Sequence, residues 1–327
     1  MESKTATALI ESLDTLLAEA FPGSSPAERR ERLLAALAEM PVAEAAKPVT
    51  VLPTSDLRVS LLGRFTAEGP SGRINEGSWT TQKSMLLFAY LACRGGRAVP
   101  DSTLIGAFWP DSDEERARGS LRNALCQVRA VVGQAIEGEL GVERNRRSRA
   151  VTLSTPVRLD VDEFERGVNE AAVLFDDEMS AAALDVLLRV MPLYQGEFLE
   201  GFEEEWISVR RAHFAELQLR GLSLMIRCRL ALGDAAGAEQ AARYALTIDD
   251  LREELHGGLI AALVTQGRRG EALRQYREAV AHYEREIGVA PSTLHDLYDE
   301  LLAEGPTTSA STVQQLRADT RRVSFTR

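Results

Sequence analysis

Apolar positions recur along this chain with two different periods, and the changes between them mark its elements. Leu9, Leu13, Leu16 and Leu17, then Leu33, Leu34 and Leu37, fall at helical spacing on either side of Phe21-Pro22-Gly23-Ser24-Ser25-Pro26, which predicts two short helices between residues 5 and 40. Helices this short are marginal alone in water, so their leucines need each other, the body of the chain or a second copy. Pro41, Pro48 and Pro53 make the following stretch a linker. The run from Leu57 to Gly63 reads as a strand, and turn residues from Gly69 to Gly77 imply a small sheet after it.

The period then changes to that of helices. Met85, Leu86, Phe88, Ala89 and Leu91 follow a Thr80 or Thr81 cap and end at Gly95-Gly96, and a short helix with Leu104, Ile105 and Phe108 stops at Trp109-Pro110. Ser112 and Glu115 have capping-box spacing ahead of a periodic run over 114–132. In that run Ala117, Leu121, Leu125, Val128 and Val132 form one stripe, while Arg116, Gly119, Ser120, Asn123, Gln127 and Ala130 share the opposite face, flanked by Arg118, Arg122 and Arg129. Gly119 costs such a helix about 1 kcal/mol relative to alanine, unless close approach of another backbone uses it. Residues 136–153 read as a β-hairpin with the basic tip Arg144-Asn145-Arg146-Arg147-Ser148-Arg149. Three helices and a basic hairpin in this order make a winged helix-turn-helix.

From Leu159 onward the pattern is helical, opening with Asp160 and Glu163 in capping-box spacing and continuing near 180–193, 203–232, 234–247, 252–266, 270–286 and 292–303. Gly233 and Gly267, Ala238 and Ala272, and Ala245 and Ala279 lie 34 residues apart, the period of tetratricopeptide helix pairs. The expected fold is therefore mainly α with small β. A helical extension and linker (1–50) precede a winged-helix DNA-binding domain (51–158), a tetratricopeptide-like solenoid of helical repeats (159–303) and a disordered tail (304–327).

Charge divides the chain in the same place. The 327 residues carry a net charge of −11, yet residues 57–160 hold fifteen Lys and Arg against eleven Asp and Glu, whereas 161–302 hold fourteen against twenty-seven. A polyanion is attracted by clustered local cations, so it belongs to the +4 segment and not to the −13 one. No apolar run is long enough to span a membrane and the N-terminus lacks an apolar signal core, so a cytoplasmic protein is expected. Cys93, Cys126 and Cys228 are too far apart for a metal knuckle and are expected to be buried thiols. Phosphate-binding loops, dinucleotide fingerprints and metal-ligand histidine spacings are absent, which argues against an enzyme and against a cofactor or metal.

Amides and arginines are what base edges and phosphates accept. The residues therefore predict that the 114–132 helix enters the major groove of double-stranded DNA. Arg116, Ser120, Asn123 and Gln127 would face bases, while Arg118, Arg122 and Arg129 would face phosphates. Arg144, Arg146, Arg147 and Arg149 would reach the adjacent minor groove or its phosphates, with Lys83 a further phosphate contact. The competing explanation is an ordinary solvated helix face.

Fragments along residues 57–302 carry a family resemblance: Leu61-Leu62-Gly63, Trp79-Thr80-Thr81-Gln82-Lys83, Phe108-Trp109-Pro110-Asp111, Glu115-Arg116-Ala117-Arg118, Leu121-Arg122, Leu159-Asp160-Val161-Asp162-Glu163-Phe164, Tyr194-Gln195-Gly196-Glu197-Phe198-Leu199 and Trp206. In this order they resemble the SARP (antibiotic regulatory protein) activators, which join an OmpR-like winged helix to a bacterial transcriptional activator domain. The resemblance implies a transcription activator that binds promoter direct repeats as a head-to-tail homodimer and recruits RNA polymerase holoenzyme. By the same resemblance the loop Trp109, Pro110, Asp111 is a polymerase contact, although a helix cap with a buried tryptophan explains it equally well. The repeats offer a concave face for a ligand or peptide, or serve as dimer interface and spacer. The rival reading is a protein-binding adaptor whose winged helix no longer binds DNA.

Overall fold

The computed structural model describes residues 57–136, 139–145, 147–288 and 294–295. The expected N-terminal helices, the linker, nearly all of the 292–303 helix, the tail and Arg146 lie outside the described residues. Strand β1 (Arg58–Ser60) pairs antiparallel with β2 (Thr66–Gly69), which pairs with β3 (Gly72–Asn75). One residue in two faces inward, so Val59, Ala67 and Ile74 are buried while their neighbours are not. This sheet sits on the chain near residue 135. Ser71 N donates to Ala135 O at 3.0 Å, and a Cβ on Gly69 would fall 2.1 Å from that same oxygen, so only glycine allows the approach.

Helix α1 (Gln82–Ala92) starts at Thr81, whose hydroxyl accepts from Ser84 N, and is buried from Ser84 to Ala92. Strand β4 (Val99–Pro100) leads into α2 (Asp101–Phe108), and α3 (Glu114–Gly133) follows. The cap of α3 is one residue later than the sequence spacing suggests. Asp113, not Ser112, accepts from Arg116 N at 2.9 Å, because a carboxylate there also complements the positive end of the helix dipole. The hairpin is β5 (Val142–Asn145) with β6 (Ala150–Leu153), and β4 pairs with β6 to give the order β4-β6-β5. Three helices and this wing make the winged helix.

Strand β7 (Arg158–Leu159) returns to the first sheet, where it lies parallel to β1 in the order β3-β2-β1-β7. Then come α4 (Asp160–Asp176), α5 (Ser180–Val190), α6 (Glu205–Ala231), α7 (Ala235–Ile248), α8 (Glu253–Thr265) and α9 (Arg269–Glu286). The 34-residue period is physical: Gly233 and Gly267 end α6 and α8 at φ +79° and +74°, and Ala238, Ala242, Ala245, Ala272 and Ala279 are buried where paired helices meet. Asp160 departs from its expected role as a local cap partner. Its carboxylate accepts from Leu61 N at 2.8 Å, Leu62 N at 3.0 Å and Val161 N at 2.8 Å, so it ties α4 to the end of β1.

That tie is reinforced by the irregular stretch before α6. Gln195 N and Leu199 N donate to Leu62 O and Leu61 O, Gly63 N donates to Glu197 O, and Glu200 N donates to Gly63 O. Gly63, at φ +114°, meets Gly196 there, and a Cβ on Gly196 would stand 3.2 Å from the Gly63 Cα. A single apolar core consequently runs from Leu57 to Leu217, with Phe65, Trp79 and Phe88 in mutual ring contact and Trp206 of α6 packed edge-on against Tyr90 of α1. Of the thiols, only Cys228 is buried; Cys93 is half-buried and Cys126 is exposed, which corrects the expectation for that position. Cys126 lies beside the α3 stripe and not in it, one residue past buried Leu125.

Replacing Gly69 by alanine is expected to cost about 2 kcal/mol by overpacking against a backbone oxygen. Gly106→Ala, in α2 with open space around it, should be neutral or stabilising. Thermal melts of both variants check this, and equal melting temperatures would contradict it. Burial pushes the Asp160 carboxyl up to about 6, more than its backbone donors pull it down. Between pH 4 and 6 the folded chain therefore takes up a proton that the unfolded chain does not. This group adds stability as pH falls and gives it up as pH rises through 6. A carboxyl titration followed by carbon NMR should place the Asp160 midpoint near 6; a midpoint near 4 would contradict the burial argument.

Candidate nucleic-acid interface

Helix α3 buries Ala117, Leu121, Ala124, Leu125, Val128 and Val132 and so turns its other face outward. On that face Arg116, Asn123 and Ala130 are exposed, and Gly119, Ser120 and Gln127 are half-buried. Among the described residues no side chain and no other element comes within 4 Å of the place a Cβ on Gly119 would take. Gln127 is held through its carbonyl oxygen, which accepts from the Thr81 hydroxyl at 3.3 Å.

The wing comes alongside this helix. Arg118 and Arg122 of α3 and Arg144 and Arg149 of the wing line one cleft of about 280 Å³. Asn145 Oδ1 accepts from Arg147 N and Ser148 N and so shapes the wing turn, and Arg149 takes the left-handed backbone at φ +48°. Arg122, Arg147 and Arg149 have no carboxylate partner among the described residues. Arg118 pairs with Glu114 and Arg116 with Asp113 one helical turn away. Such exposed pairs contribute little and can be exchanged for a phosphate.

Three other cations proposed for DNA are engaged inside the chain. The Arg129 guanidinium donates to Val142 O through Nε at 3.1 Å and Nη2 at 2.6 Å, which fastens the start of β5 to α3. Arg144 forks onto the buried Asp101, with Nε at 3.2 and 3.1 Å from the two carboxylate oxygens and Nη2 on Oδ2. That carboxylate holds the guanidinium still further above its ordinary range. Lys83 Nζ donates to Phe108 O at 2.6 Å and lies 5.7 Å from the Trp109 ring centre, so it satisfies the C-terminal end of α2. Trp109 itself is half-buried 5.9 Å from Phe108, whereas Pro110 and Asp111 are exposed. Asp101 is the member that the sequence did not announce. An acid in the first turn of a helix signals only that helix's start, and its partner is 43 residues away.

Among the described residues no group of His, Cys, Asp and Glu could hold a metal ion, and no helix is long and apolar enough to cross a membrane.

Residues 159–302 match the bacterial transcriptional activator domain family. Two proteins of Streptomyces coelicolor are similar over most of this chain: regulatory protein AfsR, 26% identical over 270 residues, and transcriptional regulator RedD, 27% identical over 228 residues. These matches cover 81% and 68% of this chain but only 26% of AfsR and 65% of RedD. The solved structure of Mycobacterium tuberculosis EmbR in complex with a low-affinity phosphopeptide shares the fold, with a TM-score of 0.68 at 20% identity over 82% of this chain and 70% of that one. A winged helix joined to a tetratricopeptide-like bacterial transcriptional activator domain gives this chain the build of the SARP-type regulators.

Proposed function

We propose that this chain is a sequence-specific DNA-binding transcriptional regulator of the cytoplasm, and an activator. The observation that carries the reading is the cleft where Arg118 and Arg122 of α3 meet Arg144 and Arg149 of the wing. Two neighbouring elements bring guanidinium groups to one place although the chain is acidic overall, and a duplex backbone is the partner that rewards this. In this reading α3 lies in the major groove with Arg116, Ser120, Asn123 and Gln127 toward bases. Arg118, Arg122, Arg147 and Arg149 take phosphates or the adjacent minor groove, Arg129 adds positive field from a fixed position, and Arg144, paired with Asp101, shapes the wing.

The rest of the reading follows the SARP-type build. Residues 51–158 bind DNA and 159–303 form the activator module. Two copies bind promoter direct repeats head to tail and recruit RNA polymerase holoenzyme, with Pro110 and Asp111 exposed on the loop proposed to touch it. The repeats hold a peptide or ligand, or set the spacing between copies.

Binding sites selected from random duplexes, then titrated at several salt concentrations, test the docking. Arg122→Ala should weaken binding to all sequences and lower the slope of log K against log salt by about 0.9, the share of one phosphate. Asn123→Ala should cost about 1–3 kcal/mol at the selected site and almost nothing on random duplex. Unchanged affinity of both variants across the salt range would reject the docking. Absence of any salt-dependent duplex binding by the folded chain would favour the adaptor instead.

A further inference from the structure

Asp101 is an odd residue to find beside a surface that would face a polyanion. It is only 4% exposed and its negative charge opposes the proposed partner. What it touches explains its place. Its carboxylate takes the Arg144 guanidinium of β5 through both oxygens, and its own backbone N donates to Arg149 O at 2.7 Å, just ahead of β6. One buried residue therefore grips both strands of the wing, at positions next to the register pair Asn145 and Ala150.

The ladder between β4 and β6 shows why the grip falls to this residue. Pro100 is the last β4 residue, opposite Ala150, and proline has no N–H to donate. Asp101 N supplies the next bond in its stead, to the carbonyl of Arg149, which has a left-handed backbone. A left-handed conformation is strained for a non-glycine residue and persists only where neighbouring contacts fix it. Arg129 ties the other end of β5 at Val142, so the wing is fastened at two points and cannot swing about either one alone.

We propose that Asp101 is a positioning residue for DNA binding: by clamping Arg144 and the Arg149 backbone it sets the wing so that Arg149 stands opposite Arg118 and Arg122. The proposal rests on the DNA reading above. It differs in sign from a simple electrostatic role. If Asp101 only neutralised Arg144, removing its charge would free a cation and tighten DNA binding. If it positions the wing, removing the charge loosens the wing and weakens binding even though the surface becomes more positive.

The test titrates the full chain against its selected duplex and against random duplex, comparing wild type with Asp101→Asn, Arg144→Gln and the double variant. Circular dichroism confirms that each variant is folded. Trypsin cleavage after Arg147 and Arg149, sites that every variant keeps, reports how loosely the wing is held. Asp101→Asn should weaken binding to the selected duplex on the order of tenfold, with a smaller loss on random duplex and faster cleavage in the wing. Arg144→Gln should do the same, and the double variant should be no worse than either single one, since both remove one clamp. Should Asp101→Asn not fold, Asp101→Glu decides, since it keeps the charge but displaces the carboxylate from Arg144: weaker binding with faster cleavage in the wing supports the proposal, and unchanged binding overturns it. Unchanged or tighter binding by Asp101→Asn, or additive losses in the double variant, overturns the proposal while leaving the DNA reading intact, provided that Arg122→Ala is weakened in parallel. A wild-type chain with no salt-dependent duplex binding overturns both.

Discussion

Burying the Asp160 carboxyl beside the end of β1 takes an ionisable group out of water, and what offsets that cost is the set of backbone N–H groups at Leu61, Leu62 and Val161 that it accepts from. The same short segment, residues 61–63, exchanges backbone bonds with residues 195–200, which reach it from beyond α5. Segments about 100 and 135 residues later in the chain are thus fastened to one turn of backbone. Because buried backbone groups must find partners, this junction leaves little freedom to separate the winged helix from the helices that follow. The apolar core accordingly passes from Leu57 through to Leu217 without a seam at residue 159.

Helix α6 carries that continuity onward. Its first half contributes Ile207, Phe214 and Leu217 to the shared core, and its second half gives Leu219, Leu222 and Ile226 to the repeat core and Leu224, Met225 and Cys228 to the packing with α4 and α5. A helix of 27 residues is about 40 Å long. It is apolar on several faces because different neighbours cover them along its length.

Which parts of this were legible beforehand follows from how far each interaction reaches. The α3 stripe could be read because a helix writes its own period: Ala117 through Val132 are buried as the spacing requires. The 34-residue step could be read because Gly233 and Gly267 are demanded by left-handed helix ends. Local capping was read one residue off at Ser112, since Ser and Asp both suit the position and only geometry selects Asp113. Asp160 was assigned to its own helix because sequence spacing sees only neighbours, while its main partners lie 98 and 99 residues back. Arg129 and Arg144 looked like free cations for the same reason. A backbone carbonyl such as that of Val142 leaves no mark on the sequence, and Asp101 lies 43 residues from the arginine it holds.

The arginines of the α3 and wing face accordingly fall into two groups with different physics. Those in exposed pairs or without a carboxylate can surrender their present contacts cheaply to a phosphate, whereas those fixed on Asp101 and Val142 hold the frame in which the others stand. Gly119 belongs to the same account. It weakens α3 by about 1 kcal/mol relative to alanine, and among the described residues no side chain and no other element comes within 4 Å of its Cβ position. A glycine with open space at its Cβ position, set among Arg116, Ser120 and Asn123, gives access to the helix backbone from outside. Under the DNA reading that access is what lets α3 approach base edges more closely than a row of side chains would permit.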